Sequence, residues 1–172
     1  VDLGTTDAEG AKAFYKGLFG WELEDVPAGE AGTYTMASLK GKAVAALYEM
    51  SDEQKGQMPP HWVSYVSVAN AGDTAEKAKA LGGTVMAEPF EVMDAGRMAI
   101  IQDPGGATVA LWEPKQHIGA ELVNEPGSFA WKERASKCTA KARQSSAKLH
   151  RWSREAQHMG RSTYTSFSHR DR

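Results

Sequence analysis

Ala45-Ala46-Leu47-Tyr48-Glu49 recurs further along the chain as Val109-Ala110-Leu111-Trp112-Glu113. Setting Gly41 on Gly105 produces this overlay. A second landmark agrees with it: Leu18-Phe19-Gly20 set on Leu81-Gly82-Gly83 aligns two helix ends and puts Asp7 on Asn70, both N-cap residues. The two offsets differ by one residue, which a loop absorbs. Two ordered landmarks argue that one structural unit is written twice.

The unit can be read outward from these anchors. Val1-Asp2-Leu3 is the stub of a strand. Asp7 then caps a helix in which Ala8, Ala11, Phe14, Tyr15 and Leu18 follow one helical face, and Gly20 ends it. Trp21–Leu23, Tyr34–Leu39 and Ala43–Tyr48 supply three short strands, the last two separated by a Lys-Gly-Lys turn. Pro59-Pro60 breaks the chain. Beyond it, Trp62–Val68 reads as a strand and Asp73–Leu81 as a helix with Ala75, Ala78 and Leu81 inward. Thr84–Met86, Arg97–Gln102 and Ala107–Trp112 read as strands. Both halves are therefore β-α-β-β-β. The expected fold class is α+β, with tandem βαβββ modules (1–55 and 61–115) forming a curved mixed-sheet cup. A curved sheet with one helix on its convex side leaves its concave face open until a second copy covers it.

Composition narrows the function classes. The chain has 172 residues, enough for one ordinary domain with a core. No run approaches the roughly 18 apolar residues of a membrane helix, so no membrane partner is expected. The lone Cys138 excludes an internal disulfide and fits a reducing, cytoplasmic compartment. Residues 1–133 carry 10 Lys/Arg against 20 Asp/Glu, whereas residues 134–172 carry 10 against 2. The basic stretch is poor in Val, Ile and Leu and reads as a poorly ordered or loosely helical tail over 134–172, with 135–159 the helical part. Its charge invites nucleic acid, but arbitrary sequence has the same composition, and no nucleic-acid partner is expected.

Asp7, Phe14-Tyr15, Leu18-Phe19-Gly20-Trp21, Ala80-Leu81-Gly82-Gly83, Gly96-Arg97 and Asp103-Pro104-Gly105-Gly106-Ala107 together resemble the vicinal oxygen chelate superfamily of glyoxalases, bleomycin-resistance proteins and extradiol dioxygenases. The resemblance covers about residues 1 to 115. Met93–Met98, His117-Ile118-Gly119-Ala120 and Val123-Asn124-Glu125 further resemble actinobacterial glyoxalase-like or hydroxylase-like proteins related to the mycobacterial 27 kDa antigen. Those relatives carry two such domains. Residues 116–133 accordingly read as a linker and the start of a second domain. The likeness stops near Arg134, through replacement of that domain or a shift of reading frame.

The resemblance implies four metal-ligand positions, one on the first and one on the last strand of each repeat. Three fall on Ala46, Val63 and Ala110, and the fourth precedes Val1. A divalent metal needs imidazole or carboxylate lone pairs, which alanine and valine lack. No cofactor is therefore expected. His61 and Glu113 form the alternative metal pair, although strand alternation points Glu113 away from the face of Ala110. The same alternation places Val44, Ala46 and Tyr48 on one face, Thr108, Ala110 and Trp112 on its repeat equivalent, and Val63, Tyr65 and Ser67 beside them. Tyr48, Val63, Tyr65, Ala110 and Trp112 are the expected ligand-binding residues. Arg97 is placed to meet an anionic group, and Asp2 is a candidate general base.

The leading expectation is a glyoxalase/bleomycin-resistance-like domain that binds a small hydrophobic or aromatic molecule without a metal. The alternatives are a superfamily enzyme (lyase, hydroxylase-like or dioxygenase-like) with an atypical site, and an interaction or antigen-type protein without pocket chemistry. A homodimer is expected in each case.

Overall fold

The computed structural model describes residues 1–29 and 32–130, and the backbone alone of 153–159 and 162–168. The described chain forms β1 (Asp2–Thr5), α1 (Ala8–Phe19), β2 (Glu22–Pro27), β3 (Thr33–Leu39), β4 (Lys42–Glu49), α2 (Asp52–Gln57), β5 (His61–Val63), β6 (Tyr65–Ser67), α3 (Ala71–Ala80), β7 (Thr84–Val92), β8 (Gly96–Gln102) and β9 (Thr108–Pro114). The expected loose helix over 135–159 lies outside the described residues as far as 152. Ser153–Met159 is a strand, β10, antiparallel to β11 (Ser162–Ser168).

Two compact units result: Val1–Ser64 with Ile118–Ala130, and a second built on Tyr65–His117. The strand order is β2-β3-β4-β1-β5 in the first sheet and β6-β9-β8-β7 in the second. Four strands of the first, β2-β3-β4-β1, correspond one for one to β7-β8-β9-β6 of the second, and β5 is an added edge strand. The register repeats as well. β1 runs parallel to β4 with Asp2 opposite Ala46, and β6 runs parallel to β9 with Tyr65 opposite Ala110. The duplication legible in the residues is thus a duplication of topology and register.

Local signals set the helices. The Asp7 carboxylate accepts the Gly10 N–H at 2.9 Å, and Gly20, at φ 71°, closes α1 in the left-handed region. Asn70 caps α3 in the same way through the Asp73 N–H at 2.8 Å. A further helix, α2, is opened by the reciprocal capping box of Ser51 and Gln54. The single strand expected over 62–68 is two strands parted at Ser64, because its halves pair with different sheets: β5 with β1, β6 with β9.

The first unit's core joins Trp21, Ala37, Val44, Ala45 and Leu122, with Tyr15 and Leu23 packed against them. Val44 was expected beside Ala46 on the opposite face. A register shift at Ala37/Ser38 leaves Val44 without a cross-strand partner, and it is buried in this cluster instead. The second core sets Ala75 and Ala78 of α3 on Ala99, Ile101 and Leu111. Small helix residues let α3 lie close on its sheet. Leu47 and Leu111 are register equivalents and both fully buried, each contributing about 1.5–3 kcal/mol of burial.

Candidate functional site

Each sheet has one face under its helix and one turned away from it, and the expected binding residues lie on the second kind. In the first unit, Leu3, Trp62, Ala37, Ala45 and Leu47 share the α1 side; the rings of Trp62 and Tyr15 meet at 5.4 Å. Alternation places Asp2, Gly4, Tyr34, Met36, Ala46, Tyr48, His61 and Val63 on the other side. Register supports this placement: Asp2 sits opposite both Ala46 and Val63, Gly4 opposite Tyr48 and His61, and Tyr34 opposite Tyr48. The Tyr34 and Tyr48 rings stack at 6.4 Å and 18°. Tyr48 folds over Gly4, so closely that a β-carbon there would lie 3.0 Å from the phenol oxygen. Burial raises the Tyr48 phenol above its usual pKa, and the negative charge of Asp2 raises it further.

In the second unit, Ala99, Ile101 and Leu111 face α3, which puts Tyr65, Met98, Ile100, Ala110 and Trp112 on the opposite side. Tyr65 and Trp112 meet edge to face, centroids 6.2 Å apart at 88°. The Trp112 indole is buried, and its N–H donates to the His117 carbonyl at 2.8 Å. Gly96 makes room for that indole: a β-carbon there would lie 2.6 Å from the ring. Ala110 and Ala46 occupy equivalent registers, each a methyl group two residues before an aromatic side chain.

Other expected residues fall elsewhere. Arg97 pairs in register with Glu91 and Glu113 and shares the α3 side with Ala99, away from Ala110 and Trp112. Its guanidinium lies against Gly72 in the first turn of α3. The Glu113 carboxylate accepts the Ala71 N–H at 2.8 Å, capping α3. The His61 ring nitrogen Nδ1 lies 2.9 Å from the Pro59 carbonyl. Ala46, Val63 and Ala110, at the ligand positions implied by the superfamily resemblance, offer only hydrocarbon and do not fit a metal. No group of three His, Cys, Asp or Glu side chains arranged to hold a metal occurs among the described residues.

A depression of about 300 Å³ adjoins Tyr48 at the α1 end of the first sheet. Its wall is polar. Lys12 Nζ donates to Glu9 and to Asp25 at 2.8 Å each, and Thr35 donates to Asp25 at 2.6 Å. Bonds from Lys12 and then Thr35 hold the Asp25 carboxyl below its usual pKa, while Asp25 and then Glu9 raise Lys12. This network ties α1 to β2 and β3. Its carboxylates already occupy the lysine, so we read it as structural. No local sequence signal marks it, since Lys12, Asp25 and Thr35 meet only once the hairpin has formed.

Two βαβββ modules, each with one helix-free sheet face, define a recognisable class. The family description Glyoxalase/Bleomycin resistance protein/Dioxygenase superfamily matches residues 1–111, and the chain belongs to that superfamily. It is 48% identical over 134 residues to "Putative glyoxylase CFP32" of Mycobacterium tuberculosis (strain CDC 1551 / Oshkosh), covering 77% of this chain and 51% of that protein. It is 37% identical over 144 residues to "Anthracycline biosynthesis protein DauV" of Streptomyces sp. (strain C5), covering 77% and 52%. The chain therefore spans about half the length of these curated relatives. The Mn(II)-bound glyoxalase from Novosphingobium aromaticivorans shares the fold at 14% identity, with TM-score 0.60 over 90% of this chain and 52% of that one.

Proposed function

We propose that this glyoxalase-like chain binds a small hydrophobic or aromatic molecule without a metal. One observation carries the reading. The helix-free face of each sheet sets a methyl group, Ala46 or Ala110, at equivalent register beside an aromatic side chain, Tyr48 or Trp112. Methyl floors with aromatic neighbours suit flat apolar ligands, through area burial and ring stacking. One curated relative is named for anthracycline biosynthesis, which supports an aromatic ligand.

The test is twofold. Elemental analysis of the purified protein should find no stoichiometric transition metal; one tightly held equivalent, lost in His61→Ala, would refute the metal-free reading. Titration with a dihydroxyanthraquinone should quench tryptophan fluorescence saturably in the wild type and more weakly in Trp112→Leu. Absence of saturable quenching would refute the aromatic-ligand reading.

A further inference from the structure

Helix α1 presents an apolar face that the first unit leaves uncovered. Phe14 and Leu18, one turn apart, are 60% and 56% exposed, and Trp62 of β5 is 41% exposed. The Phe14 and Trp62 rings both lie against Tyr15, at 5.0 and 5.4 Å between centroids. Helix geometry sets Gly10, Phe14 and Leu18 in one row and the exposed Ala13 and Gly17 in the next. The first row is a ridge of two large side chains, and the second is a groove floored by a methyl group and a hydrogen. None of the five residues is charged, as the core of an interface requires. Nothing among the described residues explains glycine at position 17. A β-carbon there would meet no atom within 4 Å, and alanine is the better helix former. Gly10 differs, because a β-carbon there would strike the Asp7 carboxylate that caps the helix.

We propose that a second copy of this chain covers this face, with α1 against α1 across a two-fold axis. The Phe14–Leu18 ridge of each copy then sits in the Ala13–Gly17 groove of the other. The inference is independent of the ligand reading. Two observations select a second copy over a different protein. Ridge and groove lie side by side on one helix, so the surface is complementary to itself, as a two-fold interface demands. The area is also of the right order. The exposed parts of Phe14, Leu18 and Trp62 amount to on the order of 300 Å², and Ala13 and Gly17 add to this. Each partner in a standard interface contributes roughly 450 Å² of apolar surface. Glycine in the groove lets the two helix backbones approach closely. The residue that weakens α1 within one chain thus serves the contact between two.

Sedimentation velocity on the full chain reads the association. The wild type should dimerise reversibly. Phe14→Gln blunts the ridge and Gly17→Gln fills the groove, and each should raise the dimer dissociation constant by about tenfold or more. Gly17→Gln also separates association from folding. Glutamine is the better helix former, so the variant, diluted until monomeric, should unfold at an equal or higher denaturant concentration than the equally dilute wild type. A wild type that stays monomeric at millimolar concentration overturns the inference. So does a dimer whose dissociation constant either variant leaves unchanged, since the contact then lies on another face. A monomeric Gly17→Gln chain that unfolds more easily than wild type overturns it too, because the glycine then serves the fold of a single chain.

Discussion

Two glycines decide where the aromatic side chains of the candidate faces lie. Gly4 lets Tyr48 fold down beside Asp2, and Gly96 leaves the space that the Trp112 indole fills. The second is the tighter fit. A β-carbon at residue 96 would lie 2.6 Å from Trp112 Cζ2 and 2.7 Å from the Glu113 carbonyl oxygen, so both ring and backbone must move. Gly96→Ala should therefore destabilise the protein by about 1–3 kcal/mol, the usual cost of overpacking, and rotate the indole off the His117 carbonyl. Denaturant unfolding reads the first effect, and tryptophan fluorescence the second. An unchanged unfolding midpoint would show that the sheet can shift at no cost. The sequence shows Gly96 only as part of a motif; its purpose appears once Trp112 is seen to lie across it. Asp2 is the opposite case. Its face was legible from its equivalence to Tyr65, but its depth was not, since position in a chain does not reveal burial.

Among the elements, α1 joins its sheet differently from α3. Helix α3 buries Ala75 and Ala78, as its spacing predicts. Helix α1 buries no residue fully, and Phe14 and Leu18, read from their spacing as part of one helical face, are 60% and 56% exposed. Periodicity shows that a helix is two-faced; which apolar residues find a partner depends on strands far away in sequence. Tyr15 does find one, between Trp21 and Trp62. The Lys12–Asp25–Thr35 network supplies the rest of the attachment, and its pH response has a definite sign. The Asp25 carboxyl titrates below its ordinary 3.8 in the folded chain. Its contribution is fully present above 3.8 and is lost as pH falls through the depressed folded value. Lys12 titrates above 10.5, so its contribution holds below 10.5 and is lost as pH rises through the raised value. Asp25→Asn should thus lower stability at neutral pH and flatten the acid limb relative to wild type, by an amount that solvent screening keeps modest. Parallel acid limbs in urea unfolding from pH 5 downward would show that the network does not couple α1 to the sheet. Helix α2 was readable in principle, because Ser51-Asp52-Glu53-Gln54 has the spacing of a capping box. The break at Ser64 was not, since no local property marks where a strand changes partners.

At the scale of the molecule, the stretch after the second module returns to the first unit. Leu122 enters the Trp21–Ala37–Val44–Ala45 cluster, and the Glu121 N–H donates to the Ala43 carbonyl at 2.8 Å. The Glu121 carboxylate accepts the Ala43 N–H at 2.9 Å. The Trp21 indole N–H donates to the Gly127 carbonyl at 2.7 Å, across 106 residues of sequence, and Lys40 pairs with Glu125 at 2.7 Å. The repeat could be read from the chain because each copy restates the same short-range pattern. This return could not, because it rests on contacts made once, between segments that share no periodicity. It also gives the two units different dependences on the same residues. Leu122→Ala removes a 7%-exposed leucine from the first core and nothing from the Ala75–Ala78–Leu111 core of the second. A buried leucine truncated to alanine costs about 2–5 kcal/mol, the spread reflecting how far the site can collapse. Native-state hydrogen exchange should then show the Ala37 and Ala45 amides of β3 and β4 losing protection, with those of Ala99 and Leu111 in β8 and β9 changed much less. Equal loss at all four would mean that the two units open as one cooperative body and that Leu122 supports both. Unchanged protection at Ala37 and Ala45 would mean that the returning segment lies on the first unit without stabilising it.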